Sequence, residues 1–458
     1  MPIATVNPAT GVTERVFEPH TPAEREERIA QASAAQRELA GAGFATRADW
    51  MRAAADLVEG ELEQTARMLT TEMGKPIGQA RAEVLKCARG MRFYADNAER
   101  FLSGEELADP ASVGAGRAWT RYEPLGVVLA VMPWNFPLWQ VLRFAAPALM
   151  AGNAALLKHS SNVPQAAMYL DGLFERAGFP AGSFRTLLIG SGEVAGVIED
   201  PRVHAVTLTG SEPAGRSVAA IAGAQIKKTV LELGGSDPFI VMPSADLEAA
   251  VTTAVTARVT NNGQSCVCAK RFIVHADVYD DFAAAFAARM AALVVGDPLD
   301  EATQIGPLAT GSGRDELAEL VDDAIERGAR VLTGGGVPDG AGYYYPPTVL
   351  SDLPDDARLV QEEAFGPVAT LYRAIDRDDA VRIANQTTFG LSSAVWTTDE
   401  DEQSWFTQAL QAGAVFINGM SVSHPELPFG GIKASGYGRE LAAEGIREFC
   451  NLKTVWRA

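Results

Sequence analysis

From position 126 onward the chain alternates short β-rich runs with helix-forming stretches, and this rhythm restricts its fold more than any other feature. The runs fall at 127–132, 154–157, 186–189, 205–208 and 230–233, with helical stretches such as 164–177 between them. A strand that returns parallel to its predecessor needs a crossover of a dozen residues or more, usually a helix. The spacing therefore predicts an α/β fold, a parallel sheet with helices on its faces. A second series starts near 238–242, with amphipathic helices expected near 247–259 and 315–327. A chain of 458 residues exceeds one ordinary core, so two or three domains are expected. Ahead of both series, Thr21-Pro22-Ala23-Glu24 reads as a capping box with proline at the first helical position. A surface helix should run from there to about residue 40.

The longest uncharged stretch, 124–142, reaches the length of a membrane span, but Pro133, Asn135 and Pro137 interrupt it. It reads as strand, turn and helix. The net charge of −19 argues against nucleic acid or an anionic membrane as the main partner, since both need a basic face. Four cysteines (Cys87, Cys266, Cys268 and Cys450) do not make a disulfide framework in so long a chain. Met1-Pro2-Ile3-Ala4 carries neither a basic nor an apolar leader region, and the expected location is the reducing cytoplasm.

The chemistry points to Asn261-Asn262-Gly263-Gln264-Ser265-Cys266 and Glu232-Leu233-Gly234-Gly235. A thiol nucleophile with a base is the minimum equipment for covalent catalysis on a carbonyl. Alone, either residue would more often be a buried small hydrophobe or a surface glutamate. Here Cys266 follows a polar Gln-Ser pair, and Glu232 lies inside the apolar run 230–233. Desolvation there raises a carboxylate pKa towards the range of a general base. A dinucleotide fingerprint is absent after 127–132. Gly190-Ser191-Gly192 and Thr209-Gly210-Ser211 remain, and either can offer backbone N–H groups to a phosphate. Arg143 is the one charged residue between Glu123 and Lys158. A buried guanidinium there needs an anion, either a protein carboxylate or a ligand. Five histidines without ligand spacing offer no metal site.

Six motifs carry a family resemblance: Pro133-Trp134-Asn135-Phe136-Pro137, Thr209-Gly210-Ser211, Glu232-Leu233-Gly234-Gly235, Gly263-Gln264-Ser265-Cys266, Glu363-Ala364-Phe365-Gly366-Pro367 and Pro428-Phe429-Gly430-Gly431-Ile432-Lys433. Through them the chain resembles the aldehyde dehydrogenases along essentially its full length. The resemblance implies a Rossmann-type cofactor domain (1–104 and 124–234), an α/β catalytic domain (235–441) and a small β oligomerisation element (105–123 and 442–458). It implies a homodimer or homotetramer, Cys266 as nucleophile, Glu232 as general base, and Asn135 with the Cys266 N–H as oxyanion donors. Trp134, Gly210 and Ser211 would hold the pyrophosphate region, Lys158 the adenosine ribose, and Glu363 the nicotinamide ribose, with Phe365 beside the ring.

Three positions above the lysine stands Ser161, where relatives strict for NAD commonly carry glutamate; NADP is therefore expected, with NAD possible. Glu232 favours water over coenzyme A as the acyl acceptor. Within the family the chain resembles the short bacterial succinate-semialdehyde dehydrogenases. In these, residues matching Arg143 and Ser423 bind the carboxylate of a small semialdehyde, and Trp139 would wall the tunnel. The mitochondrial type has an arginine where this chain has Thr260. Cys268 is a candidate for redox capture of Cys266, or simply a small buried residue. The rival readings are a broader aldehyde dehydrogenase, acting on glutarate semialdehyde or uncharged aldehydes, and a non-catalytic protein on the same scaffold.

Overall fold

The computed structural model describes residues 2–458, and its two large sheets correspond to the two series of alternating elements. The first sheet has the strand order Gly436–Tyr437, Lys228–Glu232, Val203–Thr209, Val127–Met132, Ala154–His159, Phe184–Thr186. Its neighbours are parallel except at the Gly436–Tyr437 edge, where Gly436 faces Glu232 in antiparallel register. Val127–Met132 comes first of the parallel strands, and the chain winds from it to one side and then to the other. Such a reversal opens a crevice outside the carboxyl ends of the strands, the usual ligand position in an open α/β sheet. The strand is apolar on both faces because both are covered. Val128, Ala130 and Met132 join the core built with Phe44–Gly60, Ile77–Phe101 and Trp139–Ala151, while Val127 and Leu129 join the opposite one.

The second sheet has the order Arg330–Thr333, Thr348–Ser351, Val368–Ala374, Ala269–His275, Asp237–Val241, Ser393–Trp396, Val415–Ile417. Only the Arg330–Thr333 edge is antiparallel. Arg117–Pro124 and Cys450–Arg457 form a separate two-stranded antiparallel ribbon with Thr120 opposite Thr454, and Leu452 and Trp456 are exposed on it.

Local chemistry sets the element ends. The helix Pro22–Gly41 starts at the expected capping box: Thr21 Oγ1 accepts from the Glu24 N–H at 3.2 Å, and the Glu24 carboxylate accepts from the Thr21 N–H at 2.7 Å. The stretch 124–142 is strand, turn and helix, and no helix among the described residues is long and apolar enough to cross a membrane. Several boundaries shift by one or two residues, and two differ more. The strand placed at 186–189 is Phe184–Thr186, because Leu187, Leu188 and Ile189 stay buried after leaving the ladder and their apolar character hides its end. The helix placed at 315–327 begins at Gly311, capped by Thr310 Oγ1 accepting from the Gly313 N–H at 3.1 Å. Two glycines in its first turn mask that start.

Candidate active site

Cys266 sits in a loop that the backbone alone would not favour. Asn261, Asn262 and Gly263 have φ values of +58°, +57° and +74°, three left-handed residues in succession. Asparagine tolerates this region and glycine prefers it. At Gly263 space adds a second demand, since a Cβ would lie 2.3 Å from the Gly366 carbonyl oxygen. The strain is held by hydrogen bonds. Asn262 Nδ2 donates to the Gly74 and Pro307 carbonyls, both at 2.9 Å, and its Oδ1 accepts from the Gly306 N–H at 2.8 Å. The fully buried Arg258 spans the loop, donating to the Gly263 carbonyl at 2.7 Å and the Ala269 carbonyl at 3.0 Å. Lys270 Nζ donates to the carbonyls of Ser265 (3.0 Å) and Cys266 (2.8 Å) and pairs with Glu363 at 2.9 Å.

Asn135 follows the strand Val127–Met132 and is tied to this loop. Its Nδ2 donates to the Gln264 carbonyl at 3.0 Å, and its own carbonyl accepts from Asn261 Nδ2 at 2.6 Å. An amide N–H is thereby held two residues from the Cys266 thiol. Burial pushes that thiol up to about 12, with Arg143 and Lys270 pulling it down and Glu363 and Asp237 pushing further up. It is neutral at pH 7 unless a base or a further cation assists.

Glu232 ends the strand Lys228–Glu232, buried against Gly430, where a Cβ would lie 2.6 Å from its Oε1. Neither of its carboxylate oxygens has a hydrogen-bond partner among the described residues. Burial raises its pKa well above the ordinary value, Glu440 adds to the rise, and Arg143 and Arg439 oppose it. Arg143 forms a buried ion pair with Glu440, rests over the Phe429 ring at 4.6 Å and reaches Thr209 Oγ1 at 3.5 Å. Because Arg143 lies on Glu440, Glu440 keeps its charge more readily and Glu232 is the better proton holder of the two. The anion that Arg143 requires is thus a protein carboxylate in the structure.

Two cavities flank the loop. The larger, about 1170 Å³, lies between the two sheets and is lined by Trp134, Lys158, Ser161, Gln264, Glu363 and Phe365. The Trp134 and Phe365 rings meet edge to face with centroids 5.6 Å apart. Lys158 is half-buried, has no carboxylate partner among the described residues, and burial lowers its pKa. Ser161 is held through its carbonyl, which accepts from the Ala4 N–H at 3.0 Å, leaving its hydroxyl to the cavity. Of the two glycine motifs, Gly190-Ser191-Gly192 lines this cavity; Gly210 and Ser211 do not, and Ser211 is exposed at the start of Glu212–Ala224.

The smaller cavity, about 560 Å³, contains Cys266, Phe136, Trp139, Arg143 and Ser423 on its walls, together with Lys86. Glu232 lines neither cavity, and neither does Cys268. Cys268 is buried with its Sγ donating to the Thr260 carbonyl at 3.4 Å. Sequence reasoning missed Lys270, Arg258, Glu440 and Lys86. Lys270, inside the buried strand Ala269–His275, was a usable signal, because a charge in such a strand needs a partner. Lys86 gave none, being one of many polar residues on Ile77–Phe101.

The chain matches the model of the aldehyde dehydrogenase family over residues 1–455. It is 62% identical over 458 residues to the NADP(+) succinate-semialdehyde dehydrogenase 1 of Mycobacterium tuberculosis, covering 100% of both chains. The enzyme of the same name from Mycobacterium ulcerans is 63% identical over 457 residues, again with 100% of both covered. Among solved structures it resembles the Streptococcus pyogenes succinic semialdehyde dehydrogenase in complex with NADP+, at TM-score 0.96 and 34% identity, covering 99% of each chain. The Burkholderia pseudomallei succinate-semialdehyde dehydrogenase superposes with TM-score 0.95 at 35% identity, covering 99% of this chain and 94% of the other. The chain belongs to the aldehyde dehydrogenase family.

Proposed function

We propose that this aldehyde dehydrogenase oxidises succinate semialdehyde to succinate with NADP as hydride acceptor, working in the cytoplasm. The observation that carries the reading is the position of Cys266, on a clamped loop between a dinucleotide-sized cleft and a smaller cavity ending in cationic and hydroxyl donors. Full-length relatives bearing that activity in their names support the same choice.

In this reading the Cys266 thiol gives up its proton to solvent, its sulfur attacks the aldehyde carbon, and the carbonyl electron pair moves to the oxygen, which becomes an oxyanion. Asn135 Nδ2, now spent on the Gln264 carbonyl, and the Cys266 backbone N–H are the donors that stabilise it. Collapse of the oxyanion expels hydride and leaves a thioester on Cys266. Glu232 then takes a proton from water, whose oxygen attacks the thioester; the thiolate leaves and the acid forms. A carboxylate without hydrogen-bond partners and with a raised pKa suits that step.

The cleft fits a nicotinamide dinucleotide, because an unpaired lysine and an unengaged serine hydroxyl there suit a phosphate. The bound group supplies the acceptor for the hydride. Lys158 and Ser161 would hold its adenosine end, Trp134 with the Gly190–Gly192 backbone the pyrophosphate, and Glu363 and Phe365 the nicotinamide end. The segments 1–104 and 124–234 would form the cofactor unit and 235–441 the catalytic one, the latter lending the edge strand Gly436–Tyr437 to the first sheet. The ribbon of 105–123 and 442–458, with Trp456 and Leu452 exposed, would join copies of the chain into a dimer or tetramer.

Initial rates with succinate semialdehyde against propanal and hexanal, each with NADP and NAD, test the reading. Preference for succinate semialdehyde with NADP on the order of 100-fold is expected, equal to about 2.7 kcal/mol of differential transition-state binding. Equal rates on uncharged aldehydes would leave a general aldehyde dehydrogenase.

A further inference from the structure

Three cations line the cavity that holds Cys266: Lys75, Arg143 and Lys86. Two of them are already neutralised inside the protein. Lys75 forms a buried pair with Glu83, whose Oε1 also accepts from the Leu138 and Trp139 N–H groups at 2.9 and 3.0 Å. Arg143 is paired with Glu440. Glu301, the remaining acid on the wall, is bound to Arg81 at 2.8 Å. Lys86 alone has no carboxylate partner among the described residues, although it is half-buried and set over the Trp139 ring at 4.5 Å.

What Lys86 does contact is informative. Its Nζ donates to Ser423 Oγ at 2.8 Å, and Trp139 Nε1 donates to the same oxygen at 3.0 Å. A serine hydroxyl has two lone pairs and one proton. Both lone pairs are used, so the Ser423 proton and the remaining Lys86 N–H groups are what this corner can offer. The corner is made only of donors and carries one uncompensated positive charge, which is the complement of a carboxylate. The arrangement is built by packing: Trp139 lies against Gly90, one turn beyond Lys86, where a Cβ would stand 2.9 Å from its ring.

We propose that Lys86 is a further specificity-determining residue for a carboxylate-bearing aldehyde, its ammonium joining the Ser423 hydroxyl in receiving the substrate's terminal carboxylate. The proposal deepens the semialdehyde reading and rests on it. Burial lowers the Lys86 ammonium to about 8, with Arg143 and Arg89 acting in the same direction and Cys87 and Glu83 opposing. Of those neighbours, Arg89 is bound to Glu426 at 2.6 Å, Glu83 to Lys75, and the Cys87 thiol is held neutral by burial. The charge that attracts the carboxylate is therefore present below about pH 8 and fades above it.

The test compares kcat/KM for succinate semialdehyde with that for butanal in the wild type, Lys86→Gln and Lys86→Arg, over a range spanning about pH 8. The wild-type ratio should favour succinate semialdehyde and decline as pH rises through that value. Lys86→Gln should lower the ratio on the order of 100-fold. Lys86→Arg, charged throughout, should restore much of it and abolish the decline. A wild-type preference that survives intact in Lys86→Gln overturns the assignment while leaving the semialdehyde reading standing. A wild type without preference overturns both. Competitive inhibition of the wild type by succinate needs no variant to fold: it should weaken as pH rises through the same range, and constant inhibition would overturn the assignment.

Discussion

Lys158 and Lys86 stand in the two cavities on either side of the Cys266 loop, both half-buried and both without a carboxylate partner among the described residues. They are not equivalent. Lys158 lies on the outer end of the strand Ala154–His159, among short hydroxyls and glycine backbone, with no side-chain hydrogen bond among the described residues to fix it and no charged neighbour shifting it. Lys86 is held by Ser423 and Trp139 before any ligand arrives. A loose cation in a cleft of about 1170 Å³ suits a large ligand that brings its own polarity and many contacts. A fixed cation in about 560 Å³ suits discrimination among small molecules, because the ordering cost has already been met by packing.

The sharpest separation of these two binding regions from the chemistry between them is Cys266→Ala. It should cut turnover by about 10⁴-fold or more, the scale lost with a covalent nucleophile. Dinucleotide binding, followed by titration calorimetry, should persist, because neither Lys158 nor Lys86 touches the sulfur's bonding partners. A residual rate within tenfold of wild type would remove Cys266 from the role proposed for it.

Within the smaller cavity the comparison can be broken through stability. Arg143→Met leaves Glu440 buried without its counter-ion and should destabilise the protein by about 3–5 kcal/mol. Adding Glu440→Gln should recover part of the loss, since both ends of the pair are then neutral. Lys86→Met should cost less than about 1 kcal/mol, as it removes a half-buried charge that has no ionic partner. Urea titrations of the four proteins decide this. Equal losses for Arg143→Met and Lys86→Met would mean that Lys86 is as structurally engaged as Arg143.

The two regions also differ in how far the sequence disclosed them. Trp134, Lys158, Ser161, Glu363 and Phe365 each lie at or just beyond a strand end or in a short motif, so local pattern and family resemblance located the cleft together. The doubly wound sheet was legible for the same reason, as the period of alternation is a local property. The corner around Lys86 was not. It joins Ile77–Phe101, the start of Trp139–Ala151 and the segment at Ser423, three stretches whose contact depends on helix packing that no local pattern encodes. Arg143 shows the intermediate case. Its need for an anion was readable from burial, but the identity of that anion, Glu440, almost 300 positions away, required the fold. Gly210 and Ser211 show the reverse: a good local pattern at a strand end, placed by the tertiary arrangement outside the cavity that Gly190-Ser191-Gly192 lines.

The smallest expected effect would make Lys158 resemble the engaged cations of the other cavity. Ser161→Glu places a carboxylate three residues beyond Lys158, on a backbone already held by the Ala4 N–H. The new carboxylate would pair with Lys158, raise its pKa, and face any 2′-phosphate with like charge. The kcat/KM with NADP should fall by about 10- to 100-fold, roughly 1.4–2.7 kcal/mol for a charge pair at the protein surface. The value with NAD should hold or rise, because a ribose hydroxyl can donate to the glutamate that a phosphate avoids. The ratio of the two is the quantity to measure, since a merely structural disturbance would lower both together. An unchanged ratio would mean that Lys158 and Ser161 do not hold the adenosine-side phosphate. A shifted ratio would show that a cation left without a partner inside one cavity is kept so for a ligand, which is the same logic that the Lys86 variants test in the other.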